Sequence, residues 1–168
     1  ISSAESIELI RGPETLVYGS NTVAGIINIL SPIYKQKKLD NSKFKLLMGH
    51  ESSNQSNLLS ANINIPLKSY QIFTNYTKRA ARDQSSPLGD LKNTALMKDD
   101  FTFAITKFGQ KNYTTLQIKD FAMDYGIPGS PEGHIDGVDL KLKNLSQKLL
   151  YHGDINFSSF KFLELEQC

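Results

Sequence analysis

Apolar and polar residues alternate along most of this chain. Leu59, Ala61, Ile63 and Ile65 fall on odd positions, with Ser60, Asn62 and Asn64 between them. Phe101, Phe103 and Ile105 interleave with Thr102, Ala104 and Thr106, and Val138, Leu140 and Leu142 with Asp139, Lys141 and Lys143. A period of two puts each set on one side of a sheet. The pattern predicts strands over 42–51, 55–66, 69–80, 97–108, 111–122, 136–151 and 155–166. Segment 69–80 is mixed: Gln71, Asn75 and Lys78 stand among Tyr70, Ile72, Phe73 and Tyr76, so alternation alone does not assign its faces. Most of these strands are about ten residues or longer. Soluble sheets use ~5–6 residues per strand, whereas a tilted strand needs ~9–11 to cross a bilayer.

The connections carry a second pattern. Pro66-Leu67-Lys68, Gly109-Gln110 and His152-Gly153-Asp154 are tight, whereas 81–96 and 123–135 are long and rich in Gly, Pro, Ser and Asp. Short turns at one end and long loops at the other are the layout of an outer-membrane β-barrel, with the short turns toward the periplasm. A soluble antiparallel meander would explain the alternation, but not the strand length together with this asymmetry. The reading is therefore all-β: a fragment of a transmembrane β-barrel, laid out as a long antiparallel meander.

Composition agrees. Only 39% of the 168 residues are hydrophobic and 21% are charged, as expected where lipid-facing and lumen-facing residues alternate. No apolar run approaches the ~20 residues of a membrane helix. A net charge of +2 is too even for a general nucleic-acid binder. Cys168 is the single cysteine, so no internal disulfide can form. The chain opens on Ile1 and closes on a strand-like stretch running into Cys168, which reads as an internal piece of a longer protein.

Residues 1–33 are built differently. Ser6-Ile7-Glu8-Leu9-Ile10 alternates as a short strand, and Arg11-Gly12-Pro13 stops it. Glu14–Gly19 can form one helical turn ending at a glycine. The β-branched run from Val23 to Leu30 reads as a second strand, closed by Ser31-Pro32. So small a unit cannot bury a core of its own and needs a larger neighbour. Residues 34–41 are a polar, basic connector.

In this first unit, Arg11-Gly12-Pro13, Tyr18-Gly19 and Gly25-Ile26-Ile27-Asn28-Ile29 fall in one register with Ile7-Glu8 ahead of them. That succession resembles the end of the plug domain of TonB-dependent outer-membrane receptors. The resemblance implies that 1–33 is the C-terminal part of a plug, 34–41 a connector, and 42–168 the first strands of a plugged barrel of about twenty-two strands, the size of known plugged transporters. It implies that Glu8, Arg11, Gly12, Pro13, Tyr18, Gly19, Gly25 and Asn28 form the plug motif, with Arg11 paired to barrel carboxylates. It also implies a monomeric barrel in the bacterial outer membrane, in contact with its lipid. The partner would be TonB, reached through an N-terminal segment not present here, and no nucleic acid is expected.

A second resemblance lies at Asp124-Tyr125-Gly126-Ile127-Pro128-Gly129 and Gly137-Val138-Asp139-Leu140-Lys141. It is similar to a receptor subgroup associated with metal uptake, zinc in particular, whose intervening loop is rich in His and acidic residues. Here that loop holds one histidine, a departure from the pattern. The ligand-loop candidates are Asp124, Tyr125, Glu132, His134 and Asp136, with His134 and Asp136 as metal ligands, because imidazole with carboxylates suits a borderline cation. The bland reading of the same residues is a solvated loop with Gly-Pro turns.

Lys78, Arg79 and Arg82 precede the first long loop. They could attract an anionic chelate or lipid phosphate, or form a solvated basic rim. No nucleophile–base constellation has supporting context, so an enzyme is not expected and no covalently bound cofactor is called for. The resemblance to TonB-dependent receptors implies active import of a scarce ligand: an iron-siderophore, haem, zinc or similar metal or metal chelate. The alternatives are a passive porin, which would lack residues 1–33, and a soluble β-rich binding module, which would fold without detergent.

Overall fold

The computed structural model describes residues 6–11, 25–30, 38–130, 133, 135–153 and 164–167. The chain divides into two compact units, Ile1–Gln36 and Lys37–Cys168.

In the first unit, β1 (Ser6–Ile10) and β2 (Ile26–Leu30) pair antiparallel, with Ile10 opposite Ile26 and Glu8 opposite Asn28. Gly25 enters β2 at φ +142, and a Cβ there would press on the carbonyl oxygen of Ile10 at 3.0 Å. Only glycine adopts that backbone and that approach without strain. Gly12, Pro13, Tyr18, Gly19 and the helical turn over 14–19 lie outside the described residues.

The second unit is one antiparallel meander. Its strands are β3 (Lys43–Glu51), β4 (Ser56–Leu67), β5 (Tyr70–Ala81), β8 (Leu96–Phe108), β9 (Tyr113–Ile127), β10 (Val138–His152) and β11 (Glu164–Gln167). Each pairs with its neighbour in the order β3-β4-β5-β8-β9-β10-β11, and among the described residues the sheet is open, with β3 and β11 as its edges. Six of these strands run 9 to 15 residues. Between β5 and β8 a small hairpin, β6 (Gln84–Ser86) with β7 (Gly89–Leu91), stands apart from the sheet.

Six of the expected strands are present; of the seventh, expected over 155–166, residues 155–163 lie outside the described residues and only Glu164–Gln167 is a described strand. Two further differences stand out. β9 continues to Ile127, five residues past its expected end, because Asp124, Tyr125 and Gly126 still pair with Lys141, Leu140 and Asp139. Asp124 and Tyr125 are thus strand residues and not loop residues. The second difference is the β6–β7 hairpin, in a segment whose Gly, Pro and Ser content reads as loop.

Register divides the sheet into two faces of opposite chemistry. One carries Ser60, Asn62 and Asn64 of β4, Phe73, Asn75 and Thr77 of β5, Asp100, Thr102, Ala104 and Thr106 of β8, and Thr115 of β9. Most of these are at or below 9% exposed. The other carries Phe44, Leu46, Met48, Leu59, Ile65, Leu67, Tyr70, Tyr76, Phe101, Leu116, Ile118, Leu145 and Leu149, all 37–71% exposed. Over β4, β5 and β8 the buried face is polar and the exposed face apolar, the reverse of a sheet that packs its apolar side into a core; on the edge strand β3 and on β10, Leu47 and Leu142 are exposed on the polar face.

This division resolves β5. Tyr70, Ile72, Thr74 and Tyr76 share the exposed face; Gln71, Phe73, Asn75 and Thr77 share the polar one. Phe73 fits among polar neighbours because Ala104, directly opposite, is small and only 1% exposed. β10 departs from the simple pattern. Val138, Leu140 and Leu142 lie on the polar face, in register with Ile127, Tyr125 and Met123, while Asp139, Lys141 and Lys143 share the exposed face with Leu145 and Leu149.

Candidate functional site

The polar face is cross-linked by side chains. Ser60 Oγ and Thr77 Oγ1 are 2.7 Å apart, Thr106 Oγ1 and Thr115 Oγ1 2.8 Å, and Asn75 Nδ2 donates to Asn62 Oδ1 at 2.9 Å. Such pairs satisfy polar groups that would otherwise be costly to bury. Toward the end that carries the long connections, Arg79 donates to Glu51 Oε2 at 2.9 Å and to Ser56 Oγ at 3.1 Å. Beside it, the Asp100 carboxylate lies 3.8 Å from Lys98 Nζ and 3.9 Å from Lys119 Nζ. Lys98 also sits over the Phe121 ring at 5.4 Å, a cation–π distance. Two lysines share one carboxylate there, so this part of the face carries a net positive charge. Above it, Tyr125 stands between Leu96 and Leu140 in register.

The connection over 82–95 is pinned to its surroundings. Asp83 Oδ1 accepts the backbone N–H groups of Thr94 at 2.8 Å and Ala95 at 2.9 Å. Asn93, at φ +61, donates through Nδ2 to the Ile127 carbonyl. The N–H groups of Arg82 and Ser85 donate to the carbonyls of Asn54 and Ser53 in the β3–β4 turn. Gly137, at φ +82, passes so close to Asn93 and the Ile127 carbonyl that a Cβ has no room. Together they form a braced platform, with a cleft of about 240 Å³ between it and the ends of β9 and β10.

The residues singled out from sequence disperse over this framework. Arg11 directly follows β1 and is exposed. Glu8 stands opposite Asn28 in the strand pair. Asp124 faces Met97 and Lys141 on the exposed face, and Tyr125, the next residue, faces the other way. Asp136 is exposed in the turn before Gly137. Glu132 and His134 lie outside the described residues. Among the described residues, no three His, Cys, Asp or Glu side chains are grouped to hold a metal ion. Lys78, Arg79 and Arg82 are separated too: Arg79 turns to the polar face, while Lys78 shares the opposite one. The Lys98–Asp100–Lys119 group and the Asp83 and Asn93 braces were not among the sequence candidates. Their signal exists only in register, which brings residues from different strands side by side.

The exposed apolar surface ends along a sloping line. Counted in rows across the ladder, its upper limit is Met48 and Leu59 on β3 and β4, Tyr76 and Phe101 on β5 and β8, Ile118 on β9 and Leu149 on β10. Beyond the line stand His50, Asn57, Lys78, Asp99, Asp120 and Gln147; Met97 on β8 and Leu145 on β10 are apolar residues above it. In β4 numbering the line moves from row 59 to row 65 over five strand steps. With a rise of ~3.3 Å per residue and a spacing of ~4.8 Å between strands, that slope is roughly 39°, inside the ~35–45° tilt of membrane barrel strands.

The class so defined is an all-β chain: an antiparallel sheet of long strands with a shielded polar face and an exposed apolar face. No family model matches the chain. Among curated proteins it is similar to the probable TonB-dependent siderophore receptor PirA of Acinetobacter baumannii, with 32% identity over 84 residues. The match takes in 47% of this chain and 11% of that receptor, so the chain corresponds to a small part of the protein it resembles.

Proposed function

We propose that the chain is part of the wall of an outer-membrane barrel that imports a ferric siderophore in a TonB-dependent way. The observation that carries the reading is the inverted sheet: an apolar face left exposed by six long strands, bounded by polar and charged residues along a line at the tilt of a barrel strand. Water would penalise that surface at ~25 cal/mol per Å² of apolar area, whereas a bilayer accepts it at no cost. The likeness to a siderophore receptor supports the choice of cargo, as does the net positive charge around Lys98, Asp100 and Lys119, since ferric chelates are commonly anionic.

Import of this kind needs tight binding outside and release on a change of state, so the ligand must bind two conformations with different affinity. The braced platform at 82–95 would supply a fixed outer surface, and the polar face would line the bore. Residues 1–33, by their resemblance to a plug terminus, would fill it, with Arg11 bonded to wall carboxylates. The test is growth of a deletion strain under iron chelation, with single ferric siderophores supplied in turn. The reading expects growth on at least one of them to be lost and restored by the gene. Undiminished growth on every one would contradict it.

A further inference from the structure

Of the three cations that precede the long connection, Lys78 alone shares the exposed face with the apolar band. There it borders a groove of about 570 Å³, within the ~300–1,000 Å³ of small-molecule sites. Met48 and Leu59 give the groove an apolar floor, and His50, Asn57 and Lys78 give it a polar rim, with Ala80 opposite Asn57 in that rim. Met48 and Leu59 also mark the upper limit of the apolar band on their strands. The groove therefore straddles the boundary, with hydrocarbon-like surface below and charge above.

Lys78 is poorly used by its own neighbours. It lies 3.9 Å from Asp99 Oδ1, too far for a hydrogen bond, and that same oxygen already accepts the Tyr76 hydroxyl at 2.8 Å. The Lys78 side chain is 52% exposed. An ammonium carries three donors and pairs strongly with phosphate oxygens.

We propose that this groove holds a phosphorylated lipid of the surrounding leaflet, an acyl chain along Met48 and Leu59 and a phosphate on the Lys78 ammonium. The inference rests on the membrane-wall reading. Placement follows from the boundary: a lipid is the ligand whose own apolar and anionic parts meet at that level.

The test begins with the protein expressed from its own gene and located by fractionation. Recovery from the soluble fraction would sink the wall reading itself. Membrane-derived protein is then extracted in mild detergent, stripped of lipid and titrated with bisphosphorylated lipid A and with its dephosphorylated form, read by native mass spectrometry. Lys78→Glu is expected to weaken binding of the phosphorylated form about fivefold or more and to leave the dephosphorylated form unchanged. Met48→Asp, which puts a charge where the acyl chain would lie, should weaken both. Lys143→Glu, in the same row three strands away, should change neither. Equal affinity for the two lipids, wild-type binding by either groove variant, or equal loss in Lys143→Glu would overturn the assignment.

Discussion

Ile63 occupies the middle of the apolar stretch of β4, which runs from Leu59 to Leu67. Ile63→Arg therefore puts a guanidinium at the centre of the exposed apolar face. Four residues at ~3.3 Å separate it from each end, about 13 Å along the strand and about 10 Å in height once the tilt is taken off. That exceeds the length over which a side chain can snorkel without distorting the wall. Arginine at a bilayer midplane costs a barrel about 2–4 kcal/mol, falling to ~0–1 near the interface. Ile63→Arg should then destabilise by about 2–4 kcal/mol, and Asn57→Arg, beyond the upper limit of the band, by ~1 or less. The assay is reversible urea unfolding of the protein in phospholipid vesicles, with an intermediate value for Leu59→Arg. In water the same partly exposed position would cost about 0.5 kcal/mol or little more. A flat profile along Asn57, Leu59 and Ile63 would refute the argument that this face meets lipid.

Three further outcomes follow from the packing. Ala104→Leu should lower the denaturation midpoint by the equivalent of about 1–3 kcal/mol, because it drives methyl groups into the buried contact with Phe73; an unchanged midpoint would mean the two faces are wrongly assigned. Asp83→Ala removes the acceptor for two backbone N–H groups, so limited proteolysis should cut within 84–92 while the sheet persists, and protection equal to wild type would show that the brace is dispensable. Gly137→Ala, at φ +82 with no space for a Cβ, should loosen the turn into β10 and speed amide exchange at Val138 and Asp139; unaltered exchange there would count against the close approach to Asn93.

Much of the meander was legible because its strands are long and mostly keep a strict period of two, as at Leu59–Ile65 and Phe101–Thr106. What escaped was set by neighbours distant in sequence. Phe73 looks misplaced in an otherwise polar set until Ala104 appears opposite it. Val138, Leu140 and Leu142 look like a membrane-facing set, but the band has ended at that height. There the exposed side takes Asp139, Lys141 and Lys143, and the apolar side chains line the other face beside Tyr125 and Met123. Gly126 and Pro128 read as loop, yet β9 runs to Ile127 because its ladder with β10 is still satisfied. The β6–β7 hairpin has three residues per strand, too few for periodicity to register, and rests on Asp83 and Thr94. For the candidate site, single positions such as Asp124 were visible, but their directions were not: one step along β9 separates Asp124 on one face from Tyr125 on the other.

This chain contributes no tryptophan, so with any tryptophan elsewhere in the protein replaced by phenylalanine a single introduced one reads which face meets lipid. Single tryptophans placed in turn at positions 58 to 65 of β4 in vesicles of brominated phospholipid should be quenched at 59, 61, 63 and 65 and spared at 58, 60, 62 and 64. Uniform quenching, none at all, or the opposite alternation would contradict a wall whose apolar side is bathed in acyl chains.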